Sequence, residues 1–215
     1  MRIAISQPEH FPYLGFFQKM LCCDLFVILD SVQFSGPRSF QNRNKFMCNG
    51  KSQWFTVPVE KGSYFKLIKD VKVAPDYGWR RKLIRTLDQN FPGFDYTSIY
   101  NHEYLEDINI DSILLCRRML NINTPIIKSS EIDVTGHKEE LIYNICKYFN
   151  ADTYISGQGA KAYMEKADFK DVKVKYINPV VRTMDSILAL IYNSKVLEEA
   201  KNDCKTFMEM LKNDF

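Results

Sequence analysis

The chain has 215 residues, enough to bury a sizeable core without covalent staples, and its 46% apolar and 26% charged residues exclude disordered, collagenous and coiled-coil classes. Against 26 Asp and Glu stand 29 Lys and Arg, so the formal charge is +3, too small for a protein whose main partner is nucleic acid. No stretch approaches the roughly 18 consecutive apolar residues of a membrane span, and MRIAISQPEHFPYLGFF lacks the layout of a secretory signal, so a cytoplasmic chain is expected.

The first element is a strand, Arg2 to Ser6, stopped by Gln7-Pro8 and followed by helical spacing at Leu14, Phe17, Met20 and Leu21. Leu25 to Leu29 is a short continuous apolar run ended by Asp30, the pattern of a strand buried on both faces, so a βαβ unit opens the chain. Asn49-Gly50 between KFMC and QWFTVPV predicts a β-hairpin. Leu67 to Val73 is β-prone, and helical periodicity follows from Trp79 to Leu87, from Phe94 to Ile108 and from Ile110 to Leu120. PIIKSS predicts a strand, TGHKEELIYNICKYF a helix capped by Thr135, DTYISG a strand and VKVKYINP a last strand. Ser186 to Leu197 with the charged Glu198 to Phe215 make one or two closing helices. The expected fold class is α/β: one domain over residues 1–215, three-layered, with a mainly parallel sheet core, a β-hairpin and inserted helices. Six cysteines without a CxxC pair are expected as buried free thiols, with no metal site.

Open α/β sheets bind ligands beyond the carboxyl ends of their strands. There the sequence places Gln7, Glu9, His10 and Tyr13 after the first strand, Asp30, Ser31 and Gln33 after the second, and Ser156, Gly157, Gln158 and Gly159 after TYIS. His10 is the sharpest candidate, because a neutral imidazole accepts a proton near physiological pH; the alternative is a loop-anchoring histidine. Asp30 is placed to orient a histidine, to hold an amine or hydroxyl, or to cap its loop. His102 and His137 are weaker candidates, the latter in the first turn of a predicted helix. Asn42 and Arg43 suit a phosphate or carboxylate, as an ordinary surface loop also would. The turn Ser156-Gly157-Gln158-Gly159-Ala160 lets backbone N–H groups approach a phosphate but lacks the GxGxxG and P-loop patterns. The cluster Lys61, Lys66, Lys69, Lys72, Arg80, Arg81, Lys82 and Arg85 is a solvated face or an anion site.

Taken together, QPEHFPYLGFFQKM, DLFVILDSVQF, Asn42-Arg43-Asn44, QWFTVPV, YISGQGAKAY and the closing Ser186-Ile187-Leu188 with Asn193 resemble the WbqC-like proteins of bacterial O-antigen and surface-polysaccharide clusters. His10 and Asn178-Pro179 depart from that family's usual text. The resemblance implies a cytoplasmic enzyme of nucleotide-linked deoxyamino sugars, and N-acylation with acetyl-CoA as co-substrate is the step it implies best. Such a reaction needs a base for the amine proton and donors for the oxyanion. The expected assignment is His10 as base, Asp30 as its partner or as the amine holder, and Gln33 or nearby N–H groups as donors. Arg43 and the Gly157 to Ala160 turn would take phosphates, Gln7 and Asn42 would help bind, and Tyr13 and Trp54 would line the sugar or base pocket. The rival readings are a nucleotidyltransferase-like enzyme, which lacks its paired histidines here, and a noncatalytic nucleotide-sugar-binding protein.

Overall fold

A computed structural model describes residues 1–76, 78–164, 169–179 and 184–214. Strands β1 (Arg2–Ser6), β2 (Leu25–Ile28), β5 (Ile126–Lys128), β6 (Thr153–Gly157) and β7 (Lys173–Ile177) form one sheet in the order β5-β2-β1-β6-β7. Every pairing in it is parallel. Its two faces read directly from the period-2 alternation of β1. Ala4 points into a core with Phe16, Phe17 and Met20 of α1 (Leu14–Leu21) and with Leu197, Ala200 and Cys204 of α8 (Ser194–Asp214). Ile3 and Ile5 point into the opposite core, against Leu141, Ile145 and Cys146 of α5 (Glu139–Tyr148). Helices thus cover both faces, and the fold class is the expected three-layer α/β arrangement. The hairpin forms as expected from β3 (Arg43–Cys48) and β4 (Lys51–Thr56), with Asn49 and Gly50 at φ 50° and 73° in the left-handed region that a tight two-residue turn needs.

Three boundaries differ from expectation. Leu67 to Val73 forms no strand: it makes a 3-10 turn at Ile68–Asp70 and isolated bridges from Leu67 to Gln33, Lys72 to Tyr104 and Val73 to Val59. That pairing also interrupts the helix expected through Ile108, because Glu103 and Leu105 bond back to Val73 and Val71. The helical text is therefore split into α2 (Trp79–Asn90), α3 (Tyr96–Ile99) and α4 (Leu105–Met119). The helix expected to start at Thr135 begins only at Glu139, since Gly136 stands at φ 136°, a conformation no helix accepts. After β6 come a 3-10 turn (Gln158–Ala160) and α6 (Lys161–Met164); α7 (Leu188–Ile191) and α8 close the chain, and the expected helix end at Phe215 lies outside the described residues.

Helix α4 positions the carboxyl rim of the sheet. Its face toward the core carries Glu106, Asn109 and Ser112, three polar residues one turn apart and all buried. Asn109 Nδ2 donates to Pro8 O (3.3 Å) and Gln41 O (2.7 Å), and Ser112 Oγ accepts from Phe11 N (3.1 Å). These partners matter because a loop carbonyl or amide buried without one costs about 1–3 kcal/mol. Phe11 sits at φ 44°, an unusual value for a bulky residue, and is pinned on its other side by Asn44 Nδ2, which donates to Phe11 O (2.8 Å) and His10 O (3.1 Å).

At the end of the stripe, Glu106 meets Asp30. The Asp30 carboxylate accepts from Ser129 Oγ (2.7 Å), Ser130 N (2.8 Å), Ser130 Oγ and the Glu106 carboxyl. Burial alone would raise Asp30, but these donors outweigh it and hold its pKa below the usual range. Burial, then the adjacent Asp30, pushes Glu106 up to about 8, with Lys128 Nζ at 3.5 Å pulling the other way. Glu106 is therefore protonated at neutral pH and donates to Asp30. A folded-state value raised from 4.5 to about 8 gives stability that is complete below pH 4.5 and lost as pH rises through 8. Glu106→Gln keeps a donor without the titration. The wild type should lose denaturant stability relative to Glu106→Gln across that window; parallel curves for the two proteins would show that Glu106 does not hold its proton.

Candidate functional site

The topological switch point of the sheet lies between β1 and β6, because the chain winds from β1 outward to β2 and β5 and then returns to the other side of β1. The register shows the opening. β1 pairs with β2 through Ser6 but with β6 only through Ala4, opposite Ile155. Beyond that pair the strands part, β6 continuing along β7 as far as Gly157 opposite Ile177. The Ile5 carbonyl is thereby left without a strand partner on this side, and Lys19 of α1 fills the gap: its Nζ donates to Ile5 O (2.6 Å) and lies 2.8 Å from Ser6 Oγ.

Four polar residues of a single strand, loop and helix lie at this end of the sheet, Ser6, Glu9, Tyr13 and Lys19, all partly exposed, and of these Ser6 and Lys19 are in direct contact. Glu9 is surrounded by protein yet reachable by solvent, and burial pushes its carboxyl up to about 7 against the pull of Lys19. Burial likewise lowers Lys19 to about 8, opposed by Cys23, Glu9 and Cys22. Burial and the Glu9 charge raise the Tyr13 phenol. Tyr13 packs over the start of α1, where a Cβ on Gly15 would fall 2.4 Å from Tyr13 Cε2 and 3.1 Å from Pro179 Cβ, so any larger residue there would displace the ring. Across the crevice Gly157 and Gly159 have open space above them.

Gln7 directly follows β1 and is turned to the loop of Ser35 and Gln41, and its orientation follows from a backbone donor. Ser35 N donates to Gln41 Oε1 (2.9 Å), so Gln41 Nε2 is the donor to Gln7 Oε1 (2.7 Å). The amide nitrogen of Gln7 is consequently the end left for a ligand.

Most of the other expected site residues lie elsewhere. His10 is fully buried, with Phe11, Phe55 and Tyr100 around its ring at 5.2, 5.3 and 5.7 Å. Its Nε2 pairs with Tyr100 Oη (3.0 Å), while Nδ1 faces the Asn109 amide without a well-formed bond. Burial lowers the ring to about 3, tempered by Asn109, so His10 is a neutral core histidine and not a group at the rim. Asp30 is consumed by Ser129, Ser130 and Glu106 and does not orient His10. Gln33 Nε2 donates to Tyr64 O (2.8 Å), tying two loops.

Asn42 is buried with its Nδ2 on Val57 O (3.0 Å) and its Oδ1 accepting from Arg38 N (3.1 Å), a structural role. Arg43 Nε donates to Arg38 O (3.0 Å) and its guanidinium stacks 4.1 Å from the Trp54 ring, so these two form a platform on the hairpin. Ser156 is buried, whereas Gly157, Gly159 and Ala160 lie in the turn at the crevice. His102 Nε2 lies 2.7 Å from Asp111 Oδ2, and His137 is exposed.

Sequence reasoning named Glu9 at the right strand end without giving it a role, and it missed Lys19 and the partners on α4. The available signals were a lysine inside the apolar run LGFFQKML and polar residues three apart in LEDINIDS. Among the described residues no group of three or more His, Cys, Asp or Glu is gathered as metal ligands, and no helix is long and apolar enough to cross a membrane.

No solved structure matches the chain. The "Uncharacterized protein Rv1507c" of Mycobacterium tuberculosis (strain ATCC 25618 / H37Rv) is 27% identical over 186 residues, which cover 81% of this chain and 80% of that protein. The model of the WbqC-like protein family matches residues 7–183, a span that takes in Glu9, Tyr13, Lys19, helix α4 and the turn after β6. With that span covering well over half its length, the chain belongs to the WbqC-like protein family.

Proposed function

We propose that the chain is an N-acyltransferase that moves an acetyl group from acetyl-CoA to the amine of a nucleotide-linked deoxyamino sugar in surface-polysaccharide assembly. The observation that carries this reading is the Glu9 carboxyl, set at about 7 in an open crevice at the switch point of the sheet. Acyl transfer to an amine requires a group that takes a proton at neutral pH, and a base is most effective when its pKa lies near the working pH. The choice of acetyl-CoA and of an amino sugar comes from the family resemblance, and the crevice supplies groups suited to both. Glu9 takes the proton from the attacking nitrogen, the free amide end of Gln7 donates to the carbonyl oxygen, and the flat Tyr13 ring supports a sugar face. The turn Gly157 to Ala160, across the opening, admits a phosphate close to its backbone.

A panel of aminated nucleotide sugars offered with acetyl-CoA should release free CoA thiol with at least one member. Pyrophosphate release would instead mark nucleotidyl transfer, and binding without either product would mark a noncatalytic protein. Glu9→Gln should lower turnover by roughly two orders of magnitude, the lower range of general-base contributions, and should abolish an acid limb in the pH profile centred near 7. Unchanged turnover in folded Glu9→Gln would remove Glu9 from the reaction.

His10→Asn separates the two candidate bases. Loss of the Tyr100 bond and of the ring's packing should lower stability by about 2 kcal/mol or more. The limb near pH 7 should persist in the folded variant, because the buried ring does not titrate there; a lost limb would return the base role to His10.

A further inference from the structure

The contact between Ser6 and Lys19 repeats a known chemical logic: a nucleophile, a base within hydrogen-bond reach of it, and a third group that orients the base. Ser6 is the last residue of β1 and is partly exposed at the crevice. Lys19 Nζ is 2.8 Å from Ser6 Oγ and is fixed by Ile5 O at 2.6 Å, in the gap where β6 leaves β1. Lys19 satisfies that carbonyl and, in the same position, holds its Nζ against the Ser6 hydroxyl.

We propose that Ser6 is the nucleophile and Lys19 its general base, so that the acyl group passes through an ester on Ser6. The inference rests on the acyl-transfer reading for the identity of its donor. Ser6 Oγ attacks the thioester carbonyl carbon as its proton moves to the uncharged Lys19 Nζ. The C–S bond then breaks, and the departing sulfur takes that proton and leaves as free thiol. In the second half, the acceptor amine attacks the Ser6 ester, and the proton it sheds is taken by Glu9. The C–Oγ bond breaks, and Oγ recovers a proton from Glu9 by way of Lys19, which returns every group to its starting state. The lowering of Lys19 to about 8 is consistent with this use, since an ordinary lysine is almost wholly protonated at neutral pH. Glu9 and the flanking thiols Cys22 and Cys23 are the titratable groups that act on it.

Two acyl donors, used separately and without any amine acceptor, test the dyad. p-Nitrophenyl acetate should give a burst of p-nitrophenol stoichiometric with protein, and the intact mass should gain one acetyl group, mapped by peptide analysis to Ser6 and removed by hydroxylamine as an ester is. Acetyl-CoA should give the same adduct. Ser6→Ala, confirmed as folded by its thermal transition, should abolish the adduct, and Lys19→Met should slow its formation by roughly a hundredfold or more. Acetylation on Lys19 nitrogen, or the absence of any ester on wild-type protein with both donors, would overturn the proposal. If CoA release with an aminated sugar then persisted, the function would stand and transfer would be direct. An adduct from p-nitrophenyl acetate with none from acetyl-CoA would support the dyad and refute the thioester donor.

Discussion

The rim of this sheet depends on one constraint: the loop from Gln7 to Phe11 must be buried against α4 with its backbone polar groups satisfied. Helix α4 meets that demand by giving up apolar packing at Glu106, Asn109 and Ser112, each one turn from the next. Asn109 alone serves two loop carbonyls, Pro8 O and Gln41 O, on segments far apart in sequence. Several such bonds fix the loop more firmly than any single one, because each neutral bond contributes only about 1 kcal/mol net. The turn at Phe11, with its left-handed φ, is held from both sides by Ser112 and Asn44. Were the loop free to relax, Glu9 would move out of the surroundings that raise its pKa.

Electrostatics at the rim divide into two carboxyl settings with different consequences. Asp30 and Glu106 share a proton in a closed network where every Asp30 oxygen has donors, so that pair holds β2, β5 and α4 together. Glu9 is raised mainly by burial and has solvent access, so its proton can be exchanged with a ligand. Perturbation by itself thus does not distinguish the two carboxyls; access does.

Much of the architecture was readable from periodicity: the buried strands LFVI and TYISG, the hairpin at Asn49-Gly50 and the helices flanking them form as the pattern requires. Where pattern failed, tertiary pairing had overridden it. Leu67 to Val73 is β-prone but finds only isolated partners, and the helical text before α4 yields to bonds with Val71 and Val73. The site was partly readable. Strand ends located the crevice, yet sequence distance gave no measure of depth, so His10 drew attention while its ring lies among Phe11, Phe55 and Tyr100. Lys19 was hidden because its task follows from where β6 parts from β1, a fact of register between segments at opposite ends of the chain.

That register has a kinetic consequence. Ser6, Glu9, Tyr13 and Lys19 arise from one short strand, loop and helix, so their contacts are local and form early at small entropic cost. The wall opposite them is β6, which β1 reaches only after the intervening strands and helices have been synthesised and threaded past. A chain still emerging from the ribosome therefore holds these groups without the full burial that shifts their acidities. The shifted acidities of Glu9 and Lys19 arrive late, when the central strand gains its second neighbour.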